Sequence, residues 1–177
     1  MNEAFYSTTS TPHGPFTVIC DPDGAVVASD WARETSELVT LIHSELQPAQ
    51  LIHDDQQCVD AITATLAFYD GYFSYVEKLK TRQQSGPFRM QAWAALRKIQ
   101  PGQTITYAEL AERSGNSAAV RATAGACAAN AVALFVPCHR VIAAHGRLGG
   151  FRYGTELKQK ILDLETQSMG GIQASAS

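Results

Sequence analysis

The chain has 177 residues, 45% of them hydrophobic and 18% charged. That length holds one large domain or two small ones and excludes a long multidomain assembly, and the composition carries enough apolar side chain to bury a core, which excludes a disordered or fibrous chain. The formal net charge is -3, no stretch approaches the roughly 18 uncharged apolar residues of a membrane span, and residues 1–14 lack a basic segment running into an apolar one; a cytoplasmic protein with no membrane partner is expected.

Strand-like runs around Ala4–Ser7, Phe16–Cys20 and Ala25–Ser29, separated by Pro/Gly turns at 11–15 and 21–24, predict a small antiparallel meander. Residues 32–46 and 57–78 follow as helices, with Leu38, Leu41, Ile42 and Leu46 at helical spacing in the first and Val59, Ile62, Leu66 and Phe73 in the second. No Ser, His, Asp or Cys constellation marks a site in this half, and His13, His43 and His53 read as surface or packing residues. A polar stretch from Lys78 ends at the Gly86-Pro87 breaker. The domain boundary is placed there, with 1–85 an N-terminal α/β supporting domain, 86–165 a mainly helical second domain and 166–177 a disordered tail.

The charge changes sign at the same point. Residues 1–85 hold four basic and twelve acidic side chains, a balance of -8, and residues 86–177 hold ten basic and five acidic, a balance of +5. A basic half hints at an anionic partner such as nucleic acid, and two solvated surfaces of different composition would give the same arithmetic.

In the second half Phe88, Ala92, Leu96 and Ile99 predict an amphipathic helix that Pro101-Gly102 stops. Thr106-Tyr107-Ala108-Glu109 is a capping box at the start of a helix running to about Ser114. Gly115 suits the left-handed position after it, and Asn116 or Ser117 can cap a further helix reaching about Ala129. Two short helices about a Gly turn make a helix-turn-helix pattern. Seven of the thirteen residues from Ser117 to Ala129 are Ala, and Arg121 is the single long side chain. Val120, Ala124 and Cys127 are expected to face the core, and Ala118, Ala122, Gly125 and Ala129 to form a nearly bare stripe. Such a face beside one Arg could press into a groove, or it could be a tight packing helix with a snorkelling Arg.

Ala131–Val136 is a continuous apolar run ending at Pro137, read as a buried strand entering a rigid turn. Cys138, His139 and Arg140 follow. A thiol is a strong nucleophile only as its thiolate, which a neighbouring imidazole favours. Neighbours on a regular strand point to opposite faces, so this pair cooperates only through a turn or an intervening water, and taken alone such a pair is more often structural than catalytic. The last helix offers a carboxylate to orient the imidazole: Leu157, Ile161 and Leu164 mark its buried face and Glu165 falls on it, either as a satisfied structural charge or as a site residue. Cys20, Cys58 and Cys127 read as small buried hydrophobes. The four cysteines form no CxxC pair and have no His at ligand spacing, so neither a metal site nor a disulfide framework is expected.

The run Val136-Pro-Cys-His-Arg-Val-Ile142, preceded by Asn130 and followed by Gly146, Gly149 and Gly154, resembles the signature of the O6-alkylguanine-DNA alkyltransferases, the methylated-DNA–protein-cysteine methyltransferases. The likeness extends from about Gly86 to Glu165 and takes in Thr106–Ala111 and Arg121–Ala126. It implies an RNase H-like α/β domain followed by a mainly helical catalytic domain with a helix-turn-helix. It further implies a DNA repair protein that flips a damaged nucleotide out of duplex DNA and moves the alkyl group of O6-alkylguanine, and of O4-alkylthymine, to its own Cys138 in one turnover. No cofactor is implied, the partner is double-stranded DNA containing O6-alkylguanine, and the chain is expected to act as a monomer.

Carried over by position, the resemblance has His139 activating Cys138 through a water and Glu165 orienting His139. Tyr107 crowds a backbone phosphate and directs its proton to the departing base, and Asn130 braces the turn before the active-site segment. Arg121 fills the space of the flipped base, and Arg121, Tyr107, Ala122, Gly125 and Ala128 meet DNA. Val141, Gly149, Phe151, Arg152 and Tyr153 line the guanine pocket. Ala131 stands where the family usually has Pro, and Phe151 where it usually has Tyr. Two rivals remain open: a protein that binds alkylated guanine without repairing it, and a hydrolytic cysteine enzyme that turns over a small molecule and ignores DNA.

Overall fold

The computed structural model describes residues 1–176 as a mixed α/β protein in two compact units. The first comprises Met1–Gly86 together with Asn130–Val136, and the second Pro87–Ala129 together with the chain from Pro137 onward.

In the first unit β1 (Glu3–Thr11), β2 (Gly14–Cys20) and β3 (Val26–Asp30) form the expected antiparallel meander, and β4 (Gln50–His53) lies parallel to β1, giving the order β3-β2-β1-β4. β4 escapes a periodicity reading because only Leu51 and Ile52 in it are apolar. The helices are shorter than expected. The 32–46 stretch gives α1 (Thr35–Thr40) and a separate 3-10 turn at Ser44–Leu46, while 57–78 divides into α2 (Val59–Tyr69) and α3 (Ser74–Lys78) where Gly71 turns left-handed at φ 90°. Phe16, Val18, Ile19, Ala28, Leu38, Ala61 and Phe68 are fully buried and form the core of this unit.

Residues 131–136 are buried as expected but are not a strand. A single bridge pairs Val132 with Ser29 at the edge of β3, and Leu134 adopts φ 74°. The run folds back on itself because polar groups hold it. Ser29 N–H donates to Ala131 O (2.9 Å), Ala133 N–H to Ser29 O (3.2 Å), and Ser29 Oγ to Ala133 O (2.6 Å).

The second unit contains α4 (Pro87–Leu96), β5 (Ile105–Thr106), α5 (Tyr107–Arg113), α6 (Val120–Ala128), β6 (Val141–Ile142), parallel to β5, and α7 (Thr155–Ala176). The capping box is formed: Thr106 Oγ1 accepts from Glu109 N–H at 3.1 Å, and Glu109 Oε2 accepts from Thr106 N–H at 2.7 Å. Gly115 takes φ 91° after α5, and Asn116 Oδ1 accepts from Ala118 N–H at 3.1 Å before α6. Trp93 Nε1 donates to Ala126 O at 2.9 Å, which fixes α4 on α6. The segment 166–177, read as a disordered tail, continues α7 through Ala176, and Ser177 lies outside the described residues. Among the described residues no helix is long and apolar enough to cross a membrane.

Candidate active site

The burial of α6 is rotated from the expected one. Thr123 and Ala126 are buried, whereas Val120 is 39% exposed and Ala124 is also exposed, so the wheel read from the sequence was off by one position. Arg121, Ala122 and Ala128 are exposed and Gly125 is half-buried, so the lone Arg and the small residues share the open side of the helix.

Asn130 is buried in the first unit and is held from both ends of its amide. Its Nδ2 donates to Val136 O (2.8 Å), while Oδ1 accepts from Val132 N–H (3.1 Å) and from Gln83 Nε2 (3.0 Å). This closes the 130–136 loop two residues before Cys138. Ala131, the departure from Pro, keeps an amide hydrogen and donates it to Gln83 Oε1 at 3.0 Å.

Cys138, His139 and Arg140 occupy one 3-10 turn following Pro137. The turn, rather than a strand, answers how adjacent residues can serve one site. Cys138 is half-buried, and none of the four cysteines is in a disulfide. His139 is fully buried, and its Nε2 lies 2.6 Å from Glu165 Oε1. Arg140 grips the same carboxylate, with Nε 3.1 Å from both oxygens, Nη2 2.8 Å from Oε1 and Nη1 donating to Ile99 O at 2.7 Å. Gly102 N–H completes the set at 3.3 Å from Oε2.

The electrostatics follow from this arrangement. Burial raises the Glu165 pKa, but His139 and Arg140 outweigh it and hold the carboxyl down at about 2. Burial lowers the His139 pKa more strongly than Glu165 raises it, with the Arg140 and Lys158 charges adding to the depression. The resting state is therefore an ionised Glu165 paired with Arg140 and a neutral imidazole. An ionised carboxylate only accepts, so the ring hydrogen sits on Nε2. Nδ1 is then a bare lone pair, and it is buried with no hydrogen-bond partner among the described residues. That atom is the ring nitrogen of His139 left able to accept a proton.

α7 buries Ile161 and Glu165 on one face as expected, but that face is completed by Lys158 and Leu162 rather than by Leu157 and Leu164. Lys158, Ile161, Leu162 and Glu165 are buried, and Leu157 and Leu164 only half-buried. Lys158 was missed by the sequence reading, as was the role of Arg140. The available signal was a Lys and a Glu seven residues apart around Ile161, two turns of one helix face.

Tyr107 opens α5 half-buried. Burial, then Cys127 and Cys138, push its pKa up to about 12, against a Gly150 N–H directed at its hydroxyl. Gly149 sits under the ring at φ 72°, where an added Cβ would lie 3.0 Å from both Cε2 and Oη of Tyr107. Val141 is buried at the start of β6. Phe151 and Tyr153 are half-buried and meet edge to face at 5.3 Å, and exposed Arg152 donates to Ala128 O. The second unit thus brings Tyr107, Cys138, His139, Val141, Gly149 and Glu165 onto neighbouring elements, with Arg121 on the open face of α6. Among the described residues no group of three or more His, Cys, Asp or Glu side chains could hold a metal ion.

The chain is similar to known proteins in sequence and in fold. The family profile 6-O-methylguanine DNA methyltransferase, DNA binding domain, matches residues 87–167. A methylated-DNA–protein-cysteine methyltransferase of Shigella flexneri is 32% identical over 162 residues, which is 86% of this chain and 90% of that one. One from Metallosphaera sedula is 31% identical over 160 residues, 90% and 92% of the two chains. Among solved structures, Mycobacterium tuberculosis OGT in complex with DNA superposes with a TM-score of 0.77 at 28% identity, over 93% of this chain and 94% of that one.

Proposed function

The chain belongs to the methylated-DNA–protein-cysteine methyltransferase family, and from that premise we propose that it repairs duplex DNA by taking the alkyl group of O6-alkylguanine, and of O4-alkylthymine, onto Cys138 in a single turnover after flipping the nucleotide. The observation that carries the reading is the bare Nδ1 lone pair of His139, held one residue from the thiol by an ionised Glu165.

In this mechanism Nδ1 of His139 takes the Cys138 proton through a bridging water, and the thiolate attacks the alkyl carbon in line with the leaving oxygen. An S–C bond forms, the O6–C bond breaks and its electron pair leaves with guanine. Tyr107, which keeps its proton well above neutral pH, directs it toward the departing base. The proton held by His139 passes to solvent and Tyr107 takes one back from solvent, so the thiol has lost one proton, guanine has gained one, and both side chains end as they began. The product is a thioether that no second nucleophile of the site is placed to cleave, which makes each chain act once.

A base stacked in a duplex offers no such line of approach, and extruding it costs a few kcal/mol. We read α5 and α6 as a helix-turn-helix, with Arg121 offsetting lost stacking and Tyr107, Ala122, Gly125 and Ala128 against the backbone. The exposure of Arg121 beside small residues supports this reading. We read the guanine pocket as Val141, Gly149, Phe151, Arg152 and Tyr153, and the first unit, a meander with a parallel strand beside β1, as an RNase H-like supporting domain.

Intact mass after incubation with duplex DNA carrying O6-methylguanine tests the proposal. The expected result is a gain of one methyl per chain, mapped to Cys138. DNA bound without any mass gain would make this a lesion-binding protein, and continued product formation beyond one equivalent would make it a turnover enzyme.

A further inference from the structure

Val141 and Gly149 are read above as walls of the base pocket, and the inference here rests on that reading. Lys158, near the start of α7, has none of its surface exposed. Its ammonium has three N–H donors, and three backbone carbonyls receive them: Val141 O at 2.6 Å, Leu148 O at 2.6 Å and Gly150 O at 3.2 Å. Burying a charged amine is unfavourable, and an apolar residue would fill the same space at less cost. What an apolar residue could not do is tie the start of β6 to the loop.

The loop needs the tie. From Ala143 to Gly154 it turns through left-handed residues at His145, Gly146, Gly149 and Gly154. Apart from its short 3-10 turn at Ala144–Gly146, the backbone bonds it forms within itself join Ala143 N–H to Arg147 O and Gly154 N–H to Phe151 O, and among the described residues none of them involves residues 148–150. Its middle, residues 148–150, lies against the Tyr107 ring and hydroxyl. We propose that Lys158 is a positioning residue that fixes the separation of Val141 from residues 148–150 and, through that loop, sets where the Tyr107 hydroxyl stands beside the departing base.

Lys158→Met and Lys158→Gln in the full chain test this. Met matches the length and offers no donor, while Gln is equally neutral and keeps two N–H donors. Three readouts are compared: the rate and sites of limited trypsin cleavage, the transfer rate from free O6-benzylguanine, and alkylation of Cys138 by iodoacetamide, which needs no pocket. Arg147 and Arg152, both exposed, flank the middle of the loop and report its opening. For Lys158→Met, cleavage at these two bonds is expected to rise about tenfold without new cuts elsewhere, and base transfer to fall on the order of tenfold to a hundredfold, with iodoacetamide alkylation within about threefold of wild type. Lys158→Gln should fall between Met and wild type in both loop cleavage and transfer.

Unchanged cleavage at Arg147 and Arg152 in the Met variant overturns the tether, as do equal defects in Met and Gln, which would assign the effect to charge, or an equal loss against iodoacetamide. If the Met variant does not fold, the Gln variant decides: cleavage at wild-type rate overturns the proposal and a faster, loop-confined cleavage supports it. A wild-type chain that takes no benzyl group defeats the alkyl-transfer reading instead, and the trypsin result still decides the tether.

Discussion

Arg140 and Glu165 share three hydrogen bonds at 2.8 to 3.1 Å inside the second unit, and His139 meets the same carboxylate from the adjacent position in the chain. A permanently charged guanidinium means that Glu165 stays ionised whether or not His139 carries a proton. The imidazole is thereby released from serving as counter-ion and can act as a base.

Replacing Glu165 by Gln should slow alkyl transfer by on the order of a hundredfold while leaving affinity for undamaged duplex nearly unchanged, because the amide can no longer stabilise the imidazolium that forms when Cys138 gives up its proton. Stopped-flow transfer rates and DNA titrations measure the two quantities. Unchanged transfer kinetics would remove Glu165 from the mechanism.

Acid should act on rate and on stability in a defined order. Burial depresses His139, so the base remains available below its ordinary pKa of about 6.5, and the acidic limb of the transfer rate should fall below that value. For stability, both groups bind protons less readily in the folded chain than in the unfolded one. Folding is then weakened as pH drops below about 6.5 through His139, and again between about 4.5 and about 2 through Glu165. Melting temperatures across this range, compared with His139→Gln, separate the two, since the variant should lose the upper step and keep a smaller lower one, Arg140 still holding Glu165 down.

Arg121→Ala should reduce transfer from duplex DNA by roughly tenfold or more, and transfer from a free alkylated base hardly at all, because only the duplex requires extrusion worth a few kcal/mol. Parallel rates on the two substrates decide it. Equal losses on both would refute insertion into the stack.

Gly149→Ala places a methyl 3.0 Å from the Tyr107 ring and hydroxyl at a backbone angle that side chains rarely adopt. Strain of about 1–3 kcal/mol falls on the loop or on Tyr107, so transfer from a bulky free base should drop more than transfer of a methyl group. Competing the two substrates reads the ratio, and an unaltered ratio would separate Gly149 from the pocket wall.

The parts of the molecule set by local chemistry were legible in the sequence. Thr106 and Glu109 announce their capping box, Gly115 its left-handed turn, and the meander its strands by alternation and turn residues. The run Ala131–Val136 was misread because its apolar side chains fit a buried strand, while the groups that fold it back, Ser29 and Gln83, lie about a hundred and about fifty residues away in sequence. On α7 the burial of Ile161 and Glu165 is legible from spacing, and that of Lys158 is not. Lys158 looks like a solvent residue, and the groups that make its burial tolerable are the carbonyls of Val141, Leu148 and Gly150, which the helix pattern does not show.

The return of Asn130–Val136 to the first unit bears on how the chain can be cut. A fragment beginning at Pro87 would keep Cys138 and its base but lose Ser29 and Gln83, leaving six consecutive apolar residues, Ala131–Val136, without the groups that cover and bend them. Such a fragment should be sticky and short-lived in solution. The acidic unit is in this sense a resident solubiliser, which shields the stem on which the reactive sulfur is mounted.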